Sequence, residues 1–164
     1  MVYSLVNLGP LIHQAACTRL QSKISEAKNS GACVELFGID KREHSLGSFF
    51  VPTLVTGVTP NMQLFTEESF GPVVSVTEFN QMDEAIHLAN QTQYGLAAYF
   101  YSQNLMQINQ CQRQLQFGML GINQARLSHA FAPFGGVKES GFGREGGLEG
   151  ISQYQSQQFV AWGE

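Results

Sequence analysis

The sequence predicts an α/β fold with a largely parallel sheet flanked by helices. Short apolar runs rich in β-branched and aromatic residues recur along the chain. Segments with a helical hydrophobic period stand between them, and glycines and prolines mark the joins. At 164 residues the chain is expected to form one domain with a sizeable buried core.

The elements follow in order. Ile12, Ala16, Leu20, Ile24 and Ala27 recur at spacings of four and three, so residues 10–30 read as an amphipathic helix. Pro10 suits its first turn and Gly31 the position just past its end. Cys33 to Phe37 reads as a strand. Phe49 to Val58 is an extended apolar run, and Pro52 within it predicts an edge or bent strand, because proline has no N–H to donate. Val73 to Phe79 is strand-like, and Asp83 to Gln91 reads as a short helix with an acidic first turn. Ala97 to Tyr101 and Met119 to Ile122 are compact apolar runs typical of buried strands. Between them Asn104 caps a helix whose apolar face is Leu105, Ile108, Cys111 and Leu115, with Gly118 after it. A long loop then runs to about Arg144, followed by a short helix and a strand from Tyr154 to Trp162.

Charge and cysteine usage exclude several function classes. A net charge of −4 with no Lys/Arg cluster leaves no electrostatic footprint for nucleic acid or for an anionic membrane surface. No apolar run is long enough to span a bilayer, and the N-terminus lacks the basic start of a secretory signal. Cys17, Cys33 and Cys111 are odd in number and form no C-x-x-C, which points away from a disulfide framework or zinc site and toward free thiols in a reducing compartment. A cytoplasmic protein is the expectation. His13, His44, His87 and His129 show no metal-ligand spacing, so no metal is expected.

Gly141-x-Gly143-x-x-Gly146 matches the dinucleotide fingerprint letter for letter. The fingerprint works only between a buried strand and a helix whose N-terminus holds the pyrophosphate. Val137 is the only apolar β-former from Gly135 to Ser140, so the segment reads instead as a glycine-dependent loop.

Two other constellations have chemical potential. Glu67 and Glu68 are adjacent carboxylates before Ser69-Phe70-Gly71-Pro72. Neighbouring carboxylates can divide acid and base roles, but on an extended segment they point to opposite faces, and the residues alone favour a solvated loop. The run Asn123 to His129 follows a buried strand, where open α/β sheets place ligands. Arg126, Ser128 and His129 there either hold an anionic group or form an internally satisfied polar loop. None of the three cysteines has a His or Lys beside it in sequence, and buried, inert thiols are the expected state.

Three patterns together resemble the aldehyde dehydrogenase family: Gly9-Pro10-Leu11-Ile12 opening a helix, Glu67-Glu68-Ser69-Phe70-Gly71-Pro72, and Pro133-Phe134-Gly135-Gly136-x-Lys138-x-Ser140-Gly141-x-Gly143-Arg144-Glu145. Asp83 to Asn90 and Tyr94 to Tyr99 agree as well, so the similarity covers essentially the whole chain. Within the family, Leu96 to Tyr101 and the Pro-Phe-Gly-Gly context are most similar to succinate-semialdehyde dehydrogenases. The resemblance implies that residues 1–153 are the C-terminal part of the catalytic domain and that residues 154–164 form an oligomerisation strand. It places Glu68 on the nicotinamide ribose, Phe70 beside the nicotinamide ring, Phe134 at the substrate tunnel and Ser128 on a substrate carboxylate, with Arg126 an additional cation in that loop.

The family's nucleophilic cysteine lies in a G-Q-x-C motif upstream of E-x-F-G-P, and this motif does not occur here. The general-base glutamate and the Rossmann cofactor domain are upstream too. The resemblance therefore implies no catalytic residue in this chain, no activity by itself, and NAD or NADP only in the complete parent enzyme, with no tight cofactor binding here. It implies a homo-oligomer, or association with the missing N-terminal part or a full-length homologue. A non-catalytic binding module and a degenerate remnant are the competing readings.

Overall fold

In a computed structural model, residues 8–38 and 47–164 are described; His44 lies outside them. The backbone divides into two compact units, Met1–Asn80 and Gln81–Glu164.

In the first unit, helix α1 (Gln14–Asn29) packs beside a three-stranded sheet of β1 (Cys33–Leu36), β2 (Thr53–Thr56) and β3 (Val73–Val76). A single helical turn, α2 (Gln63–Thr66), lies between β2 and β3. The core gathers Ala27, Ala32, Val55, Val58, Met62 and Leu64. The helix is shorter than the hydrophobic pattern suggested. His13 caps it by accepting the Ala16 N–H on Nδ1, and Ile12, before the cap, is 87% exposed. Its other end is as expected: Ser30 is the C-cap, and Gly31 takes φ +99°, a conformation glycine adopts without penalty.

β2 is the central strand, antiparallel to β1 and parallel to β3, so the edge position expected from Pro52 is overturned. Pro52 stands one residue before the ladder. Its missing N–H breaks no strand bond, and its carbonyl accepts the Phe37 N–H.

The second unit begins with α3 (Met82–Asn90), then β4 (Tyr94–Gly95), β5 (Ala97–Phe100), α4 (Leu105–Gln114), β6 (Met119–Ile122), β7 (Val137–Lys138) and α5 (Gly147–Ser152). β5 and β6 pair in parallel, while β4 and β7 form a two-residue antiparallel ladder. Among the described residues the sheets are thus mixed, with two parallel and two antiparallel pairings rather than a largely parallel sheet. Asn104 caps α4 through its side-chain oxygen, which accepts from the Met106 and Gln107 N–H groups. Cys111 is buried on the predicted face of that helix, but Leu105 is exposed.

Residues 155–164 are exposed and carry no strand ladder, so the strand expected from Tyr154 to Trp162 does not form within this chain. A strand requires a neighbour to take its backbone groups, and none of the described strands pairs with this segment. Among the described residues no helix is long and apolar enough to cross a membrane.

Asn104→Ala removes a side-chain cap from two backbone donors and should lower unfolding stability by about 1 kcal/mol. Denaturant titration followed by circular dichroism measures the change. Val55→Ala, which empties a fully buried position in β2, should cost more, roughly 2 kcal/mol.

Candidate functional site

The carboxylate pair sits where α2 ends. Glu67 leaves the helix in an extended conformation (φ −118°, ψ 146°), which turns Glu67 and Glu68 to different sides. Lys23 of α1, only 8% exposed, makes the division concrete. Its ammonium pairs with Glu67 Oε2 at 3.0 Å and donates to the Glu68 carbonyl at 2.8 Å. A largely buried cation needs both partners to offset its lost hydration. Glu67 is therefore an ion-pair partner of Lys23 although its side chain is 55% exposed, and Glu68, exposed as well, gives Lys23 only its carbonyl.

Two residues on, Phe70 is 81% exposed. Gly71 lets the chain pass directly over Leu20 of α1, whose side chain a Cβ at this position would strike. The Ser69 hydroxyl oxygen between Glu68 and Phe70 is enclosed, and no hydrogen-bond partner for it exists among the described residues.

In the second unit the chain beyond β6 forms an arch from Asn123 to Ala132. Asn123 takes φ +55° and locks the foot of the arch: its side chain accepts the Ser102 N–H at 2.9 Å and donates to the Ser102 carbonyl at 2.8 Å. The far foot is held by Ala132 N–H to the His129 carbonyl and Gly147 N–H to the Ala130 carbonyl, both 3.1 Å. Arg126 and Ser128 are exposed, whereas Leu127 and His129 are half-buried. No Asp or Glu occurs from Asn123 to Pro133, so the Arg126 charge has no carboxylate within the arch.

The Pro-Phe-Gly-Gly segment follows. Phe134 and Glu145 form an antiparallel bridge with both N–H···O distances at 2.7 Å, closing the loop between them. The polar residues inside that loop fasten backbone. Lys138 Nζ donates to the Asn90 and Thr92 carbonyls at 2.9 and 3.0 Å and stands 5.7 Å from the Phe117 ring centre. Ser140 Oγ accepts the Gly95 N–H at 3.0 Å, and Arg144 Nη1 donates to the Gly136 and Gly143 carbonyls at 2.8 and 2.6 Å. Gly118 must lack a side chain because the Gly135 carbonyl occupies the place of its Cβ.

Gly141, Gly143 and Gly146 have φ of +108°, +84° and +66°. The fingerprint-like spacing thus marks turns. Only the two-residue β7 precedes it and only six residues of helix follow, which is not a strand-to-helix pyrophosphate cradle. Phe134 is half-buried and lines a cleft of about 730 Å³ with Leu96, Phe142, Ile151 and Tyr154. Arg126 and Ser128 do not line that cleft. Glu68 and Phe70 thus share one turn of the first unit, while Arg126 and Ser128 share the arch of the second, apart from the Phe134 cleft.

None of the three thiols is poised as a nucleophile. Cys17 is buried and donates to the Ser48 carbonyl at 3.4 Å. Burial pushes the Cys111 thiol up from its ordinary value. Cys33 is exposed on β1, contrary to the buried state expected from sequence, because edge position and strand alternation turn it outward. Among the described residues no group of three His, Cys, Asp or Glu side chains is placed to hold a metal ion.

A fold that presents Glu-Glu-x-Phe-Gly-Pro on one unit and a pinned Pro-Phe-Gly-Gly loop on the other defines a class, and the sequence model of the aldehyde dehydrogenase family matches residues 4–160. The chain belongs to the aldehyde dehydrogenase family. It is 44% identical over 160 residues to a non-phosphorylating aspartate-semialdehyde dehydrogenase of Halomonas elongata, covering 98% of this chain and 32% of that protein. It is also 44% identical over 155 residues to the mitochondrial succinate-semialdehyde dehydrogenase of Mus musculus, covering 94% of this chain and 29% of that one. Among solved structures, the succinate-semialdehyde dehydrogenase of Burkholderia pseudomallei superposes with a TM-score of 0.84 at 43% identity, over 93% of this chain and 31% of that chain. The chain spans about a third of the length of the relatives it matches.

Two outcomes test this site description. A thiol-reactive disulfide reagent should label Cys33 promptly in the native protein, with Cys17 and Cys111 reacting only on unfolding; three equally fast thiols would contradict it. Lys138→Met, which strips a donor from two carbonyls, should lower stability by roughly 1–3 kcal/mol in a denaturant titration.

Proposed function

We propose that this chain serves as the C-terminal third of an NAD(P)-dependent aldehyde dehydrogenase that oxidises a short aldehyde bearing an anionic tail, with succinate semialdehyde the favoured substrate. The carrying observation is the division of the carboxylate pair. Lys23 pairs with the Glu67 carboxylate and takes only the carbonyl of Glu68, which leaves the exposed Glu68 carboxylate two residues from the exposed Phe70. In this reading Glu68 accepts hydrogen bonds from the nicotinamide ribose and Phe70 packs against the ring. When bound, the nicotinamide takes up the hydride released by the aldehyde.

Ser128 and Arg126 hold the acid tail by hydroxyl and guanidinium donation, and Phe134 lines the approach. The tail assignment is supported by the arch's uncompensated cation and by the relatives' names. Succinate semialdehyde and aspartate semialdehyde carry a carboxylate, and the similar Pseudomonas putida protein is a 3-sulfolactaldehyde dehydrogenase, whose substrate carries a sulfonate.

The thiol chemistry of the reaction must come from elsewhere, since Cys17 and Cys111 are buried and Cys33 has no hydrogen-bonded base among the described residues. The chain is catalytically silent alone, binds cofactor weakly, and gains activity by joining an upstream partner or a full-length homologue in an oligomer. Exposed apolar side chains on residues 154–164, among them Tyr154, Phe159 and Trp162 at 95% exposure, supply an association surface. Three free cysteines are consistent with a reducing, cytoplasmic setting.

The test replaces the matching third of the Burkholderia pseudomallei enzyme with this chain. The purified chain alone should give no NAD(P)H from succinate semialdehyde, while the chimera should. In the chimera, Ser128→Ala should raise KM for succinate semialdehyde by about tenfold, and Glu68→Gln should lower kcat/KM for the cofactor by a similar factor. Turnover by the isolated chain, or a chimera indifferent to both substitutions, would overturn the proposal.

A further inference from the structure

Helix α1 buries a stripe of Ala16, Leu20, Lys23 and Ala27, at the spacings of one helix face. Lys23 is the charged member of that stripe. For packing alone it is the costlier choice. An unbranched apolar side chain such as methionine would fill similar space with no charge to strip of water, and such exchanges at buried ion pairs are often neutral or stabilising. What the lysine adds is a directional donor. Its Nζ aims that donor at the Glu68 carbonyl, 2.8 Å away and 45 residues along the chain, and balances its charge on Glu67 Oε2 at 3.0 Å. Neighbouring positions of the same helix meet the same segment. Glu26 Oε2 accepts the Gln63 N–H at 3.3 Å, and Leu20 lies where a Cβ on Gly71 would strike it. Residues three apart are neighbours on a helix surface. Positions 26, 23 and 20 therefore meet 63, 67–68 and 71 in turn, so the segment runs antiparallel along α1. Of these three ties, the one from Lys23 is made to Glu68 itself.

Resting on the reading of Glu68 as the ribose contact, we infer that Lys23 is a positioning residue for Glu68: by holding the Glu68 carbonyl it fixes the direction in which that side chain leaves the backbone. A peptide unit is planar, so a donor on its oxygen orients the Cα on either side of it. Glu68 and Phe70 are exposed, and the turn that carries them is held from its helix side. Glu67 has a different part, which is to neutralise the ammonium. The carbonyl bond, and not the ion pair, is the contact that sets where the Glu68 carboxylate stands.

The test uses the full isotopically labelled chain, nicotinamide mononucleotide as the probe, and two substitutions that divide the contacts of Lys23. Lys23→Met keeps the packing and removes the donor. Glu67→Gln keeps Lys23 and its bond to the Glu68 carbonyl and removes the opposite charge. In NMR titrations Lys23→Met should weaken the nucleotide response of the Glu68 and Phe70 signals by about tenfold. Glu67→Gln should stay within about threefold of the parent chain. The melting temperature of Lys23→Met should lie within about 4 °C of the parent's, because Glu67 and Glu68 are exposed and water can take the place of the ammonium. Equal losses in the two variants would make the ion pair the working contact and overturn the inference. So would an unchanged nucleotide response in Lys23→Met, or a Lys23→Met chain that melts far lower with amide shifts spread through β1 to β3, the mark of a general prop. Backbone order parameters of residues 67–71, measured without nucleotide, separate the inference from the ribose reading. A fall in Lys23→Met with none in Glu67→Gln supports the carbonyl clamp, and unchanged values in Lys23→Met overturn it. Glu68 and Phe70 signals that ignore the nucleotide in the parent chain would instead overturn the ribose reading.

Discussion

Both motif-bearing segments are held by cations aimed at main-chain carbonyls. In the first unit Lys23 reaches the Glu68 carbonyl; in the second, Lys138 bridges the Asn90 and Thr92 carbonyls and Arg144 the Gly136 and Gly143 carbonyls. Carbonyl oxygens in turns and irregular loops have no ladder to satisfy them, and leaving one enclosed without a donor costs on the order of 1–3 kcal/mol. A charged donor on a long side chain can satisfy two such oxygens at once and tie together segments far apart in sequence. The site-forming segments are irregular, and this kind of fastening lets them be irregular and ordered together.

This constraint changes what the motif letters mean. In Glu-Glu-Ser-Phe-Gly-Pro one of the two carboxylates, Glu67, pairs with the cation that fixes the turn. In the Pro-Phe-Gly-Gly segment, Lys138, Ser140 and Arg144 face backbone, so a run that looks like a set of catalytic or phosphate-binding groups is a clamp. Its glycines serve the clamp as well: Gly118 admits the Gly135 carbonyl, and Gly141, Gly143 and Gly146 supply left-handed turns. In the proposed reading, binding chemistry falls to residues next to the fastened groups: Glu68 beside Glu67, and Arg126 and Ser128 on an arch pinned at both feet.

Much of this was legible locally. The Asn104 cap and the Gly31 terminus depend on neighbours within a few residues, and β3, β5 and β6 carry continuous apolar or β-branched runs, so the sequence pattern shows each of them although the strands' partners lie about twenty residues away. The exceptions depend on distant partners. β2 is central because β1 and β3 come to it, which Pro52 could not announce. The one-turn α2 and the two-residue β4 and β7 are too short to show a period. Tyr154 to Trp162 reads as a strand because its residues favour one, yet no described strand pairs with it. Motif and resemblance nominate Glu68, Phe70, Arg126, Ser128 and Phe134 as candidates; the structure puts Glu68 and Phe70 on one turn, Arg126 and Ser128 on the arch, and Phe134 at the cleft. Lys23 was invisible, standing 45 residues from the carbonyl it holds, as was the pairing of Lys138 with a carbonyl 48 residues away.

The central claim is that this chain bears the nicotinamide-ribose side of an aldehyde dehydrogenase site and not the adenine side. The most direct measurement adds nicotinamide mononucleotide and, separately, adenosine monophosphate to the labelled chain and follows the Glu68, Ser69 and Phe70 signals by NMR. The account predicts shifts at those three residues with nicotinamide mononucleotide, weak in affinity, and none there with adenosine monophosphate. Equal responses to both nucleotides, or shifts concentrated at Gly141 to Gly146 in place of Glu68 to Phe70, would contradict it.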